Sequence, residues 1–588
     1  MCGIVGYVGG KRETSFLIDA LSKLEYRGYD SAGIAKLSDG KIVSTKRVGS
    51  IKNLAESVPK KDMVNVAISH TRWATHGVPS EKNAHPHISK NGIWAVVHNG
   101  IIENYKELKK QLKHEPESET DTAVVAELLE EKNVENIFGF IDTFSNICGS
   151  YAIAAICQNK NDTMFLVRQK SPLYVGVNAE QEFLIASDPI CFAKFCDKYY
   201  EFDDGEFAYI SDKNIEFFDT QKNKINKELK ILNTIFEETE KGMYPHFMLK
   251  EIMQEKDAIL RQINIYKSKN ILSKYTKEYL SNFEEIKFIG CGTAYHAGLM
   301  GAKFVQKILG KKASAEIASE FIYSKPNFVN PKTLYIFVSQ SGETADTLRS
   351  LEVIKNSKAT SIALTNVLYS SLAKKADHIL PICAGVEIAV ASTKAYVCML
   401  SAILLFCAHA KSESEFQKTL KKLKNLAEQI LNFDRQKIKQ IANKISAKKE
   451  AIFIGKDMDY ITALEASLKL KEVSYINANS YPSGELKHGF LALVEQGTPL
   501  FVFALNRNIN HKTHSSASEA VSRGAEVIMF ANERYENFGY QFLIEDEDEF
   551  LLELKAIAPM QYLAYEVSVQ KGINPDQPRN LAKSVTVE

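Results

Sequence analysis

The sequence predicts two architectures in one chain: an α+β sandwich over the first two hundred or so residues, followed by two α/β doubly wound parallel-sheet units. Three observations carry this. The early part is rich in short β-prone runs such as "CGIVGYV", "VNVAISH", "GIWAVVHNG", "SYAIAAIC", "TMFLVRQ" and "EFAYIS". Gly, Asn and Asp turns separate them, and helical patterns interrupt them at residues 14–24 and 120–131, the mixture of packed sheets with helices on their faces. Beyond a polar Lys/Glu/Asn-rich stretch at residues 212–241, strands such as "IKFIG", "LYIFVS" and "SIALTN" alternate with helices, as a parallel sheet requires. That second half also repeats itself. Setting "IKFIGCGTAYHAG" on "AIFIGKDMDYITA" puts Gly290 on Gly455, an offset of 165 that also pairs "TLYIFV" with "TPLFVF" and "TSIALTN" with "AEVIMFA". A period this long means duplicated domains and not a solenoid.

Element by element, the chain of 588 residues is too long for one core. A boundary falls near Glu240, and a long amphipathic helix begins near His246. The two copies span about residues 283–411 and 449–571; residues 412–448 between them, Lys/Leu/Glu-rich without Gly or Pro, read as helices packing between the copies. The expected domain limits are 1–238, a linker at 239–248, 249–430 with its leading helix, 431–575, and a C-terminal tail at 576–588. The apolar run at residues 397–410 is shorter than the roughly 18 to 20 residues that cross a bilayer, so it is expected to be a core helix.

Composition excludes several classes of function. With 45% apolar and 25% charged residues, and 73 Lys+Arg against 72 Asp+Glu, the chain has no bias toward nucleic acid or membrane. The nine scattered cysteines form no CxxC pair, which favours reduced thiols and a cytoplasmic setting, and no basic segment precedes the short N-terminal apolar stretch as a secretory signal would need. Five of the thirteen histidines (His70, His76, His85, His87, His98) lie close together, but no carboxylate or thiolate cluster stands at ligand spacing. They are expected to order loops by hydrogen bonds, with no metal.

The opening "MCGIVGYVGG" puts Cys2 behind an initiator methionine whose removal a small second residue permits. Cys2 would then carry an α-amino group able to take its thiol proton. Taken alone, the stretch reads equally as a first buried strand. Around it, "LEYRGYDSAG", "HTRWATHG", "HNGIIEN" and "SETDT" put polar residues at strand ends and turns. Arg72 offers a fork for a carboxylate and Asp121 a counter-charge for an α-ammonium, while Asn99 and Gly100 could donate N–H groups to a tetrahedral oxyanion. In the second half, "LYIFVSQSGETADTL" gathers Ser339, Gln340, Ser341 and Thr344 at a strand-to-helix turn. "FIGCGTAYHAG" does likewise with Gly290, Gly292 and Thr293, and each turn reads as a phosphate cradle or as a simple helix cap. Glu465, Lys469 and Glu472 share one helix face, for which a solvent-facing ion pair is the plain reading.

On these motifs, the first part resembles the class II, N-terminal-nucleophile glutamine amidotransferases. The resemblance implies a four-layer αββα sandwich in which Cys2 attacks the glutamine side-chain amide and releases ammonia. Arg72, Trp73, Thr75, His76 and Asp121 would bind glutamine, Asn99 and Gly100 would form the oxyanion hole, and Arg27 would support the nucleophile. The second part resembles paired sugar-isomerase (SIS) domains through "SQSGETADT", "VASTKAY", "LKLKE", "GELKHG" and "DQPRNLAKSVTVE". There the resemblance gives Thr293, Ser339, Gln340, Ser341 and Thr344 the sugar phosphate, with Val390 and Ser392 lining the pocket. Glu472 would shuttle a proton between C1 and C2, Lys469 would stabilise the enolamine charge, and Lys583 would form or assist a Schiff base. His488 would assist ring opening, reaching the site from a neighbouring subunit, and the tail would close the site against water.

Together the two resemblances imply transfer of the amide nitrogen of L-glutamine to D-fructose 6-phosphate with ketose-to-aldose isomerisation, giving D-glucosamine 6-phosphate and L-glutamate. They imply a homodimer, no metal or organic cofactor, and a sealed route for ammonia gated by Trp73. Three residues depart from the family pattern: Ala294 replaces a cradle hydroxyl, Phe490 stands where Pro is usual, and Ala389 replaces Gly. Other class II enzymes would need a phosphoribosyl or ATP-pyrophosphate site, for which no motif stands here. A non-catalytic sugar-phosphate regulator is disfavoured by the presence of Cys2, Glu472 and Lys583.

Overall fold

The computed structural model describes residues 2–586 except 60, 74–76, 193, 212, 233–239, 269, 325–328, 356 and 537. It divides into two compact units, one of Met1–Thr239 and Ser584–Val587, the other of Glu240–Lys583 and Glu588.

In the first unit, alternation of apolar and small residues along the strand Gly3–Glu13 lets it pair antiparallel on both sides. Its neighbours are Met63–Arg72 (Gly3 opposite Thr71) and Phe183–Ala186 (Val5 opposite Ala186). That register sets Cys2 beside the end of the strand that carries Arg72. The strand belongs to an eight-stranded sheet, and a seven-stranded sheet contains Trp94–Ile102, paired with Gly149–Cys157. Ile4, Val8, Val66 and Ile68 of the first sheet share a core with Ala95, Val97, Ala152, Ala154 and Met164 of the second, so the sheets pack face to face. Helix Thr14–Ser22 packs on the first sheet. Helices Asp121–Glu131 and Ile137–Phe144 cover the other, burying Val124, Leu128, Phe140 and Phe144 against Trp94 and Phe165. The layers are therefore α, β, β, α, as the resemblance implies.

The second unit holds two five-stranded parallel sheets with one shared strand order, second-first-third-fourth-fifth. The 165-residue period falls on the elements themselves. Strands Glu285–Gly290 and Lys312–Ile317 of the first copy correspond to Glu450–Gly455 and Asn477–Pro482 of the second. Helices Thr293–Phe304 and Met458–Ser474 start at matching positions. Helix Lys394–Lys411 is long and apolar enough to cross a membrane by length and composition, yet nearly all of it is buried in the core with Phe288, Phe304 and Leu423. Residues 412–448 form helices Glu413–Gln429 and Arg435–Ile445, capped by the Ser412 and Asp434 side chains.

Two details differ from expectation or add to it. The helix expected from His246 is not continuous: it breaks at Gln254 into Phe247–Met253 and Glu255–Ser268. Its first turn is held by the Asp576 carboxylate, which accepts the Phe247 and Met248 N–H groups at 2.9 and 2.8 Å. In the second copy, the fully buried Asp459, near the start of helix Met458–Ser474, reaches into the turn after the neighbouring strand Pro499–Ala504, its Oδ2 accepting N–H from Leu505 at 3.1 Å and Asn506 at 3.5 Å.

Candidate functional site

Two clusters of polar side chains stand out, one in each unit. In the first, the Cys2 Sγ accepts the Trp73 N–H at 3.3 Å. Burial pushes the thiol up, against the pull of that N–H and of the Arg72 guanidinium. A half-buried thiol held protonated in this way needs an adjacent base to become a nucleophile. Arg72 Nη2 donates to Gly77 O at 3.1 Å, and Trp73 meets Tyr29 edge to face at 5.7 Å between centroids. Arg27 is buried and grips Ser187 O at 3.2 Å and Asp188 at 2.8 Å, while Ser187 Oγ accepts the Ile4 N–H at 3.1 Å. Arg27 thus braces the strand that begins at Cys2. Thr75 and His76 lie outside the described residues.

Asn99 and Gly100 sit on Trp94–Ile102. His70 Nε2 contacts two acceptors, His98 O at 2.9 Å and Asn99 Oδ1 at 3.2 Å, which assigns the proton to Nε2 and fixes the Asn99 amide with its NH2 end as donor. Gly100 has φ of 135°, and a Cβ there would collide with Ser150 O, so only glycine fits. Asp121 Oδ2 accepts the Ile102 N–H at 2.8 Å and Oδ1 the Thr122 N–H at 2.9 Å. These bonds anchor the carboxylate at the start of its helix.

His70, His85, His87 and His98 form a buried cluster, with ring centroids 4.0 Å (His70 and His85) and 4.5 Å (His85 and His87) apart, and two of them bond the "SETDT" segment: His87 Nε2 lies 2.9 Å from Thr120 Oγ1 and His98 Nδ1 2.8 Å from Thr122 Oγ1. Among the described residues, no group of three or more His, Cys, Asp or Glu is placed to hold a metal. Burial brings His70 down to about 3 and keeps His85 and His87 well below the ordinary value. The unfolded chain takes up protons on these rings below about pH 6.5, whereas folded His70 stays neutral until about 3. The unfolded state therefore binds more protons across that window, and stability falls as pH falls. The urea midpoint is expected to drop steadily from about pH 7 to about pH 4; a midpoint independent of pH there would contradict the neutral cluster.

In the second unit, the turns after the neighbouring strands Glu285–Gly290 and Thr333–Ser339 open at the same sheet edge, where crossover directions reverse. Ser339 Oγ accepts the Gly342 N–H at 3.0 Å and lies 3.1 Å from Thr344 Oγ1, while Ser341 Oγ accepts the Glu343 N–H at 3.2 Å. Gly342 has φ of 66°, with Ser370 where a Cβ would go. Gln340 is half-buried beside them. At the first turn, Thr293 Oγ1 donates to Glu465 Oε1 and accepts from Lys469 Nζ, both at 3.0 Å.

The helix carrying Glu465, Lys469 and Glu472 is not solvent-facing there. Lys469 is 1% exposed, 2.7 Å from Glu472 and 3.5 Å from Glu465, and His296 Nδ1 meets Glu465 at 2.7 Å. Burial alone would lower Lys469, but Glu472 and Glu465 hold it above the ordinary lysine value. Burial likewise opposes the charge of Glu465, which Lys469, His296 and Thr293 keep below the ordinary glutamate value.

Nearby, Lys583 Nζ and Ser392 Oγ both donate to Glu387 Oε2, at 2.5 and 2.9 Å, and Val390 N donates to Asp576 O at 3.1 Å. The structure thus groups Thr293 with Lys469 and Glu472, and Ser392 with Lys583. His488 stands apart, exposed at the end of Ser483–His488, and Phe490 just beyond it stacks on Tyr481 with ring centroids 3.6 Å apart.

Sequence reasoning missed His296 and Glu387. His296 follows Thr293 by one helical turn, and Glu387 is a lone carboxylate in the apolar stretch "AGVEIAVAS"; both signals were there to be used.

Comparison with known proteins defines the class first. The glutamine amidotransferase domain family matches residues 70–194 and the SIS domain family matches residues 279–409 and 444–549. The chain is therefore a glutamine amidotransferase domain followed by paired SIS domains. Over its whole length it is 43% identical, across 610 residues and 100% of both chains, to glutamine–fructose-6-phosphate aminotransferase (isomerizing) of Caldanaerobacter subterraneus subsp. tengcongensis. It is 41% identical, again over 100% of both chains, to the enzyme of that name from Clostridium tetani. The chain belongs to the glutamine–fructose-6-phosphate aminotransferase (isomerizing) family.

Among solved structures, it is similar to the C-terminal domain of glucosamine-fructose-6-phosphate aminotransferase from Francisella tularensis. The TM-score is 0.53 and the identity 35%, over 58% of this chain and 100% of that one. Tagatose-6-phosphate ketose/aldose isomerase from Escherichia coli shares the fold alone, with TM-score 0.51 and 18% identity over 58% of this chain and 96% of that one.

Proposed function

We propose that this chain transfers the amide nitrogen of L-glutamine to D-fructose 6-phosphate and isomerises the product to D-glucosamine 6-phosphate, releasing L-glutamate. The observation that carries the reading is the end-to-end likeness to enzymes of that name, with both expected clusters present in the chain. With Met1 removed, the Cys2 amine takes the thiol proton and the sulfur adds to the glutamine amide carbon. The Asn99 amide and the Gly100 N–H stabilise the oxyanion, and Arg72, Trp73, Thr75, His76 and Asp121 hold the amino-acid end. Ammonia, kept from water so that it stays unprotonated, then meets the sugar. Thr293, Ser339, Gln340, Ser341 and Thr344 take the phosphate, with Val390 and Ser392 lining the pocket. Lys583 forms an imine at C2 with loss of water, ammonia adds at that carbon and displaces the lysine amine, Glu472 moves the proton between C1 and C2, and Lys469 offsets the developing charge.

His488, exposed at the end of Ser483–His488, fits a role in opening the sugar ring of a partner subunit, so a homodimer is part of the reading. So are a cytoplasmic location, an amidotransferase domain over residues 1–238 joined by a linker at 239–248 to SIS domains at 249–430 and 431–575, and a tail at 576–588 that shields the sugar site.

The test is product analysis. Glutamine and fructose 6-phosphate together are expected to give glucosamine 6-phosphate and glutamate in equal amounts, and neither substrate alone any amino sugar. A chain that consumes glutamine without ever aminating the sugar would overturn the proposal.

A further inference from the structure

Glu387 has no part in the steps proposed above, yet its carboxylate holds four hydrogen-bond donors. Its side chain is fully buried. Its Oε1 accepts the N–H groups of Thr393 at 2.9 Å and Ala395 at 3.0 Å, which leaves Oε2 to two side chains, Lys583 and Ser392. Both of those belong to the proposed sugar site, and they come from opposite ends of it: the pocket wall and the C-terminal tail. Charged groups of three further elements act on this carboxylate: Glu251 and Glu255 of the two leading helices, and Lys469 of helix Met458–Ser474. Lys394, at the start of the long core helix, acts on Glu251. Lys394 is engaged by Gln254 Oε1 at 2.9 Å.

The three buried carboxyls do not share one state. Burial, with the charge of Glu387, pushes Glu251 up to about 8 and Glu255 well above the ordinary value. Burial works against Glu387 too, but the Lys583 ammonium and the Ala395 and Thr393 N–H groups hold it below the ordinary glutamate value. It is the anion of the set.

We propose that Glu387 is the proton acceptor that frees the Lys583 amine, and that Ser392 reports sugar occupancy to it through the same carboxylate oxygen. This inference rests on the imine role given to Lys583 above. When the phosphosugar enters, the Ser392 hydroxyl turns to a sugar oxygen and Oε2 keeps one donor in place of two, which makes it the stronger base. Lys583 passes one proton to Oε2, leaving a neutral amine and a neutral Glu387. The amine nitrogen bonds to C2 as the carbonyl π bond opens, and a proton moves from that nitrogen to the new alkoxide. The resulting hydroxyl takes the proton back from Glu387 and leaves as water. The products are a protonated imine, water and the Glu387 carboxylate, so atoms and charge balance. Without sugar, the doubly bonded oxygen keeps Lys583 paired and unreactive.

The experiment uses the full chain with fructose 6-phosphate and cyanoborohydride, and follows by mass spectrometry the rate at which the reduced sugar adduct appears on the peptide carrying Lys583. E387Q is expected to slow adduct formation about a hundredfold or more, the usual worth of a positioned proton acceptor. The half-saturating sugar concentration should move by less than about threefold. E387D keeps a carboxylate on a shorter arm and is expected to recover at least about a tenth of the rate, which a purely structural acid would not allow. If E387Q fails to fold by circular dichroism, E387D alone is read, with an intermediate loss expected and an unaltered rate overturning the proposal. In a folded E387Q, adduct formation at the unaltered rate overturns the Glu387 role and leaves the imine reading standing. Absence of any adduct on Lys583 in the unaltered chain removes the imine reading, and this inference with it.

Discussion

Cys2→Ala is expected to abolish glutamine hydrolysis, by at least about ten-thousandfold, while the same protein still converts fructose 6-phosphate to glucose 6-phosphate. The asymmetry follows from where the thiol sits. Its partners are the Trp73 N–H at 3.3 Å and the Trp73 carbonyl at 3.6 Å, so its removal forfeits two weak hydrogen bonds, together worth about 1–2 kcal/mol, and leaves the fold intact. The chemistry loses everything, because the proposed nucleophile is this one sulfur, held by Trp73 next to Arg72. The groups proposed to isomerise the sugar lie in the other unit, on Met458–Ser474 and around Glu387, and do not depend on the sulfur. Coupled assays of glutamate release and of glucose 6-phosphate formation separate the outcomes. Loss of both activities in a folded protein, or full activity in a chain whose mass shows Met1 still attached, would defeat the two-site account.

Lys469→Met is expected to cost about 3–5 kcal/mol of stability, together with the isomerase activity, because it strands buried charge. The ammonium is 1% exposed and joins Glu465, Glu472 and Thr293. Once it is gone, Glu465, itself 4% exposed at the side chain, keeps only His296 and the Thr293 hydroxyl against its desolvation. Adding Glu465→Gln to Lys469→Met should restore stability relative to the single variant, since the second change removes the stranded anion. Denaturant titration of the single and double variants reads this directly, and a double variant less stable than Lys469→Met would show that packing, not charge, is what the lysine supplies.

The duplicated half was legible because its signals are local. A strand ending in Gly and then a helix start recur 165 residues apart, and Gly290 and Gly455 end corresponding strands. The helix face of Glu465, Lys469 and Glu472 was legible too, as a spacing. Whether that face met water or protein was not, because an exposed ion pair and a buried one have the same i, i+4 pattern, and the deciding contacts, Thr293 and His296, lie 172 and 169 residues away. The same limit explains the histidines: their crowding in sequence was plain, but only the pairing of Gly3–Glu13 with Met63–Arg72, and the stacking of two sheets, makes their setting a dry cluster. The break at Gln254 had no Pro or Gly to announce it.

Asp459 gives the duplication a direction. With its own carboxylate lodged in the turn that corresponds to Gln340 and Ser341 of the first copy, the second copy fills that turn itself, while its helix brings Glu465, Lys469 and Glu472 to Thr293 of its sibling. Neither half owns a whole apparatus. A chain severed near residue 432 would part Lys469 and Glu465 from the Thr293 hydroxyl that joins them, so the proposed sugar site needs both twins in one piece.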